Sequence, residues 1–233
     1  MGGEVAIIKQ RKPRFLCLHG FGTSGRILKT QLQKWPEFVL DKLDLVFPDA
    51  PFPCTEKSGV EGIFNPPYYE WYKRNKEFTE YTSLHKCLEY LQECMIQQGP
   101  IDGLLGFSQG SFLAAALPGL QAKGLALTEV SKINFLIIIS GGKLENEALS
   151  EKAFSDTISC PSLHFLGEMD SVKPNGTALL ESFVDPVVIH HPQGHTIPRL
   201  DENGLELMLG FLEKIQKELT IQEGQGKYLH SAL

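Results

Sequence analysis

A serine hydroxyl becomes a nucleophile only when a base stands ready to take its proton and a third group holds that base. Three stretches of this chain offer such a set. Ser108 lies in Gly106-Phe107-Ser108-Gln109-Gly110, Asp170 in Gly167-Glu168-Met169-Asp170, and His195 in Gly194-His195-Thr196-Ile197-Pro198. The first stretch is a G-x-S-x-G pentapeptide, which lifts a serine above the end of a sheet on a sharp strand-to-helix turn. Serine, acid and histidine in this chain order suit acyl transfer in two steps. Ser108 would attack a carbonyl while His195 takes its proton. Asp170 would fix the tautomer of the imidazole, and water would later free the acyl group. The base must be neutral to act, so activity should rise with pH through its titration.

Each residue has a plainer reading. The pentapeptide alone is a weak signal and could be a glycine-flanked turn of any α/β protein. Asp170 could be an N-cap or turn aspartate. Glu168 rivals it in the same loop, whereas Asp49 precedes the serine and has the wrong order. His190 and His191 compete with His195, but they fall on or at the end of a strand. His85, His164 and His230 read as surface or core residues, and His19 as a structural part of a His-Gly turn. An acyl-transfer site also needs donors for the developing oxyanion. The expected donors are two backbone amides, of Gln109 just after the nucleophile and of Phe21 in the loop His19-Gly20-Phe21-Gly22-Thr23-Ser24. Tyr69 and Trp71, in a run of aromatics, are either a wall accommodating an acyl chain or buried pins for a surface loop.

Elements of regular spacing must carry these groups. Apolar runs predict strands at 14–20, 43–47, 101–105, 135–142, 162–167 and 187–191. Helical spacing follows Ser24, with a break at Pro36, and recurs at 79–98, 109–117, 177–183 and 205–219. Strands alternating with helices predict a doubly wound, mostly parallel sheet of about six strands. No linker or repeat interrupts the chain, so 1–233 reads as a single domain with its core at about 14–219. The polar stretch from Gln222 is expected to fray. No large cap domain is expected; only the aperiodic 52–77 segment could serve as one.

Composition removes several functions. The net charge is -6 and no basic stretch is long or laced with aromatics, which argues against nucleic acid as a partner. No apolar run approaches the ~20 residues that span a bilayer. The first residues lack the positive and apolar blocks of a secretory signal and the Ser or Thr of a myristoylation site. Five irregularly spaced cysteines with no C-x-x-C predict reduced thiols, hence a cytoplasmic protein, with the nucleus as the other reducing compartment. No metal-ligand spacing occurs, and no cofactor is expected. Ser231-Ala232-Leu233 loosely resembles a peroxisomal address but lacks its basic middle residue.

Taken together, Leu16-Cys17-Leu18-His19-Gly20-Phe21, Phe47-Pro48-Asp49-Ala50-Pro51, Tyr69-Glu70-Trp71-Tyr72, the Ser108 pentapeptide and the Asp170 and His195 stretches resemble the FSH family of serine hydrolases. The likeness runs from Phe15 to about Leu212. It implies the α/β-hydrolase fold, an intact Ser108, Asp170, His195 triad, and hydrolysis of small-molecule acyl esters without a cofactor. Two other functions use the same scaffold: a thioesterase acting on acyl-CoA or acylated protein, and a non-catalytic small-molecule receptor.

Overall fold

A computed structural model describes residues 11–74, 81–144 and 147–231. In chain order its elements are β1 (Arg14–Leu18), α1 (Gly25–Leu32), α2 (Glu37–Leu40), β2 (Asp44–Val46), β3 (Phe52–Pro53), β4 (Tyr69–Glu70), β5 (Lys73–Arg74) and β6 (Tyr81–Thr82). Then follow α3 (Leu84–Gln98), β7 (Gly103–Phe107), α4 (Gln109–Ala122), β8 (Phe135–Ile139), α5 (Glu147–Ala153), β9 (Ser162–Gly167), α6 (Lys173–Leu180), β10 (Val187–His191) and α7 (Glu202–Ser231).

Six strands form one sheet in the order β10-β9-β8-β7-β1-β2, and every pairing in it is parallel. The chain steps outward from β1 to β2, then returns past β1 to begin β7. That reversal leaves a crevice beyond the carboxyl ends of β1 and β7, where open parallel sheets hold their ligands. Alternation along β1 shows why both faces are covered. Leu16 and Leu18 join one apolar cluster with α3, α4 and α6, while Phe15 and Cys17 join the other with α1 and α7. The β7 and β8 strands are buried along their whole length, as the apolar runs required. Helix α4 buries residues around most of its circumference, which explains the near-continuous Leu and Ala of its sequence.

Several expectations need correction. The helix expected to begin near Thr79 begins at Leu84, while residues 75–80 lie outside the described set. The 52–77 segment contains two short antiparallel ribbons, β3 with β4 and β5 with β6, too brief to show a period in sequence. Helix α5 was not anticipated. The frayed tail is overturned: α7 continues through Ser231. A helix already seeded by buried Met208, Phe211, Leu212, Ile215 and Leu219 extends at low entropic cost. Arg11 also ties it down by donating to Glu223 Oε1 at 2.7 Å and, through its backbone carbonyl, by accepting from Gln216. Among the described residues no helix is long and apolar enough to cross a membrane.

Candidate active site

Ser108 ends β7 and opens α4 with φ 53° and ψ -122°. A non-glycine residue in this region is strained, and strain of this kind persists only where neighbours enforce it. The neighbours are two glycines. A Cβ on Gly106 would sit 2.5 Å from the Ser111 Cα, and one on Gly110 would sit 2.1 Å from the Leu18 carbonyl oxygen. Strand, turn and helix can therefore nest only with hydrogen at both positions. The Ser108 N–H donates to the Ile139 carbonyl at 3.1 Å, fixing the turn to β8.

Asp170 and His195 come to the same edge on loops after β9 and β10. His195 Nε2 lies 2.8 Å from Ser108 Oγ, and its Nδ1 lies 3.0 and 3.1 Å from the two Asp170 oxygens. With Asp170 ionised, Nδ1 carries the proton and Nε2 is left to accept from the serine hydroxyl. Exposure falls along this line: the His195 side chain is 38% exposed and that of Asp170 only 1%. Burial alone would push the Asp170 carboxyl up. The nearby Ser140 hydroxyl, the Val172 N–H and His195 outweigh it, so the carboxyl is held below its ordinary value. The two loops are laced together by Glu168 N–H donating to the His191 carbonyl and Met169 N–H donating to that of Gln193. Lys34 Nζ anchors the far side, donating to Thr196 Oγ1 and the Ile197 carbonyl at 2.9 Å each. The Phe107 ring lies 5.2 Å from the His195 ring, centroid to centroid.

The rival residues fall elsewhere. Glu168 is exposed and pairs with Lys173 and His190. Asp49 accepts from the Gly25 N–H at the start of α1. His191 is buried and touches neither Ser108 nor the Asp170 oxygens within hydrogen-bonding range.

Phe21 and Gln109 sit on the two sides of the crevice. Among the described residues neither backbone N–H has a protein acceptor, so both are free to donate. Gln109 is also the first residue of α4, where the helix dipole favours negative charge. The loop carrying Phe21 is held by side chains. His19 is fully buried; its Nδ1 donates to the Gly20 carbonyl at 2.8 Å and its Nε2 accepts from the Ala50 N–H at 3.0 Å. Burial pushes this imidazole down to about 4, so it is neutral. Thr23 Oγ1 donates to the same carbonyl at 2.6 Å.

The aromatic wall is corrected at Trp71. Its side chain is fully buried, and its Nε1 donates to the His19 carbonyl at 2.8 Å. Its backbone N–H donates to Gln109 Oε1, and Gln109 Nε2 donates to the Tyr72 carbonyl. Trp71 is a strut between the two amide-bearing loops, not a lining for substrate. Tyr69 is half-buried, and its backbone N–H donates to the Thr23 carbonyl at 2.7 Å. Sequence reasoning missed the Gln109 side chain, Ser111 and Ser140. A polar residue closing the all-apolar run of β8, before Gly141-Gly142, was the available signal for Ser140.

Comparison with known proteins places the chain in a family and a fold. The family described as Serine hydrolase (FSH1) matches residues 8–205. Family of serine hydrolases 3 from Saccharomyces cerevisiae is 33% identical over 214 residues, covering 80% of this chain and 79% of its own. Esterase OVCA2 from Homo sapiens is 28% identical, covering 81% of this chain and 91% of its own. Among solved structures, acyl-protein thioesterase 2 from Zea mays superposes with a TM-score of 0.58 at 18% identity, over 87% of this chain and 95% of that one. At that identity the likeness speaks for the fold, which is that of the α/β-hydrolases.

Proposed function

Because the chain belongs to the FSH1 family of serine hydrolases, we propose that it cleaves carboxylic acyl esters through Ser108, His195 and Asp170. The single observation carrying this reading is the unbroken line of hydrogen bonds from the Ser108 hydroxyl through the imidazole to a buried carboxylate. In the first step His195 Nε2 takes the hydroxyl proton as Ser108 Oγ bonds to the ester carbon. The carbonyl oxygen gains the charge and is met by the Phe21 and Gln109 amides, each contributing roughly 3 kcal/mol. His195 then gives its proton to the leaving alcohol, and the C–O bond breaks. Water repeats the sequence on the acyl-serine, releasing the carboxylic acid and restoring Ser108. The whole chain acting as one domain and a small-molecule substrate belong to the same proposal.

The test is labelling by a fluorophosphonate, which captures an activated serine. The wild-type protein should label, and Ser108→Ala should not, while keeping its thermal transition. Labelling that survives in Ser108→Ala would move the nucleophile elsewhere. Oxygen and thioester substrates of matched chain length would then separate an esterase from a thioesterase.

A further inference from the structure

Gln109 enters the site twice. Its backbone N–H opens α4 beside Ser108, while its side chain is buried against the 69–72 segment. There Oε1 accepts from the Trp71 N–H and Nε2 donates to the Tyr72 carbonyl, at 2.9 Å each. The carboxamide fits in one orientation, since the reverse would set donor against donor and acceptor against acceptor. A carboxylate could keep the first bond but has no proton for the second, and a thioether sulfur is only a weak acceptor.

The segment that Gln109 holds is also the one that holds the loop of Phe21. Trp71 Nε1 donates to the His19 carbonyl at 2.8 Å, and the Tyr69 N–H donates to the Thr23 carbonyl at 2.7 Å. His19 and Thr23 lie two residues to either side of Phe21. The Phe21 N–H is thus slung between two carbonyls, both fixed from 69–71. The Trp71 ring is fully buried and lies 5.1 Å from that of His19, centroid to centroid, so it has no room to swing.

A line of bonds therefore joins the two proposed oxyanion donors. It starts at α4, passes through the Gln109 side chain to the Trp71 backbone, and ends through the indole on the loop of Phe21. Its links span 38 and 52 residues of sequence, so local chain geometry does not set the gap between the donors.

We infer that Gln109 is a positioning residue for the donor it does not carry: its side chain sets the place of the Phe21 amide relative to its own. The inference rests on the acyl-transfer reading above. The carbonyl oxygen of a substrate gains its charge only in the transition state, so a displaced amide costs turnover and not substrate binding. Misplacement of about 1 Å is enough to cost about a hundredfold.

The experiment compares the full-length wild type with Gln109→Met, Trp71→Phe and the two together. Methionine is close to glutamine in length and leaves the backbone N–H of position 109 in place. Phenylalanine removes the indole donor. Kinetics on p-nitrophenyl butyrate, inhibition by propyl trifluoromethyl ketone and thermal unfolding are measured on each. Ser108 adds to the ketone carbonyl, and the alkoxide so formed sits where the oxyanion would. Each single variant should lose kcat by about tenfold to a hundredfold, with KM changed less than about twofold and the ketone weakened by about the factor lost in kcat/KM. The links act in series, so either cut frees the loop. The double variant should therefore lose no more than about threefold beyond the worse single one. Losses that multiply in the double variant would overturn the inference, as would wild-type kcat in Gln109→Met, or a fall in kcat that leaves ketone affinity unchanged. A role in folding alone would lower the melting temperature and leave kcat and ketone affinity at wild-type values below the transition. If Trp71→Phe does not fold, Gln109→Met decides alone, through the paired fall of kcat and ketone affinity. The underlying triad fails separately, through labelling of Ser108→Ala.

Discussion

Two loops meet across the crevice, and they are built by different physics. The turn at Ser108 is set by close backbone packing: glycine against glycine-width gaps, with the β1 carbonyls pressed on α4. The loop from His19 to Ser24 is set by side-chain hydrogen bonds from His19, Thr23, Trp71 and Ser58, the last donating to the Gly22 carbonyl at 2.8 Å. Packing of the first kind does not titrate but tolerates no added atom. Bonding of the second kind tolerates small changes of volume but depends on which atoms carry protons. One site therefore has a half that breaks under mutation and a half that breaks under acid.

The largest effect should come from adding a methyl group to the packed half. In Gly110→Ala the new carbon would overlap the Leu18 carbonyl, and β1 is held on both sides by its pairing with β7 and β2. Overpacking against backbone should cost upward of about 4 kcal/mol. For a chain of this length the melting temperature should drop by about 10 °C or more, or soluble protein should be lost altogether. A variant melting within about 2 °C of wild type would break the contrast, since the turn would then have slack.

The bonded half should fail in acid. The buried imidazole of His19 is neutral down to about 4, whereas in the unfolded chain it takes up a proton near 6.5. The unfolded state therefore binds more protons throughout that window, and stability falls as pH is lowered from 6.5 to about 4. The loss amounts to about 3 kcal/mol. Protonation would also set Nε2–H against the Ala50 N–H, two donors face to face. His164, buried on β9 and pushed down to about 3, adds a loss of the same sign that continues to lower pH. Urea midpoints measured from pH 7 to 4 should decline steadily over this range, above the window in which most carboxylates titrate. A flat profile would mean that His19 is not held neutral.

How much of this was legible beforehand follows the same division. The sheet, its order of elements and the Ser108, Asp170 and His195 constellation could be read because they rest on periodicity and on short motifs at strand ends. The packed turn announces itself through its glycines. The bonded loop does not, because Trp71 and the Gln109 side chain act across 38 residues of sequence and no local pattern encodes that reach. Trp71 could be assigned either to a substrate wall or to the core from composition alone, and only its full burial decides. Helix α7 ran past its expected end for a related reason: the contact between Arg11 and Glu223 spans 212 positions. The remaining misses, α5 and the two-residue ribbons, are too short to repeat a period.

The smallest effect isolates what makes the glycines of the turn special. Gly210 lies inside α7, is exposed, and a Cβ built there meets nothing within 4 Å. In an open helical position glycine is the costlier residue, because the unfolded chain has more freedom to lose and the helix gains no side chain in return. Gly210→Ala should therefore stabilise the protein by about 0.5–1 kcal/mol and raise the melting temperature by about 2–3 °C, with ester hydrolysis unchanged. The same chemical change thus carries opposite signs at positions 110 and 210. If both substitutions destabilised the protein, the harm at the turn would lie in losing glycine as such. Opposite signs place it in the contact between α4 and β1, since that contact is what the two positions do not share.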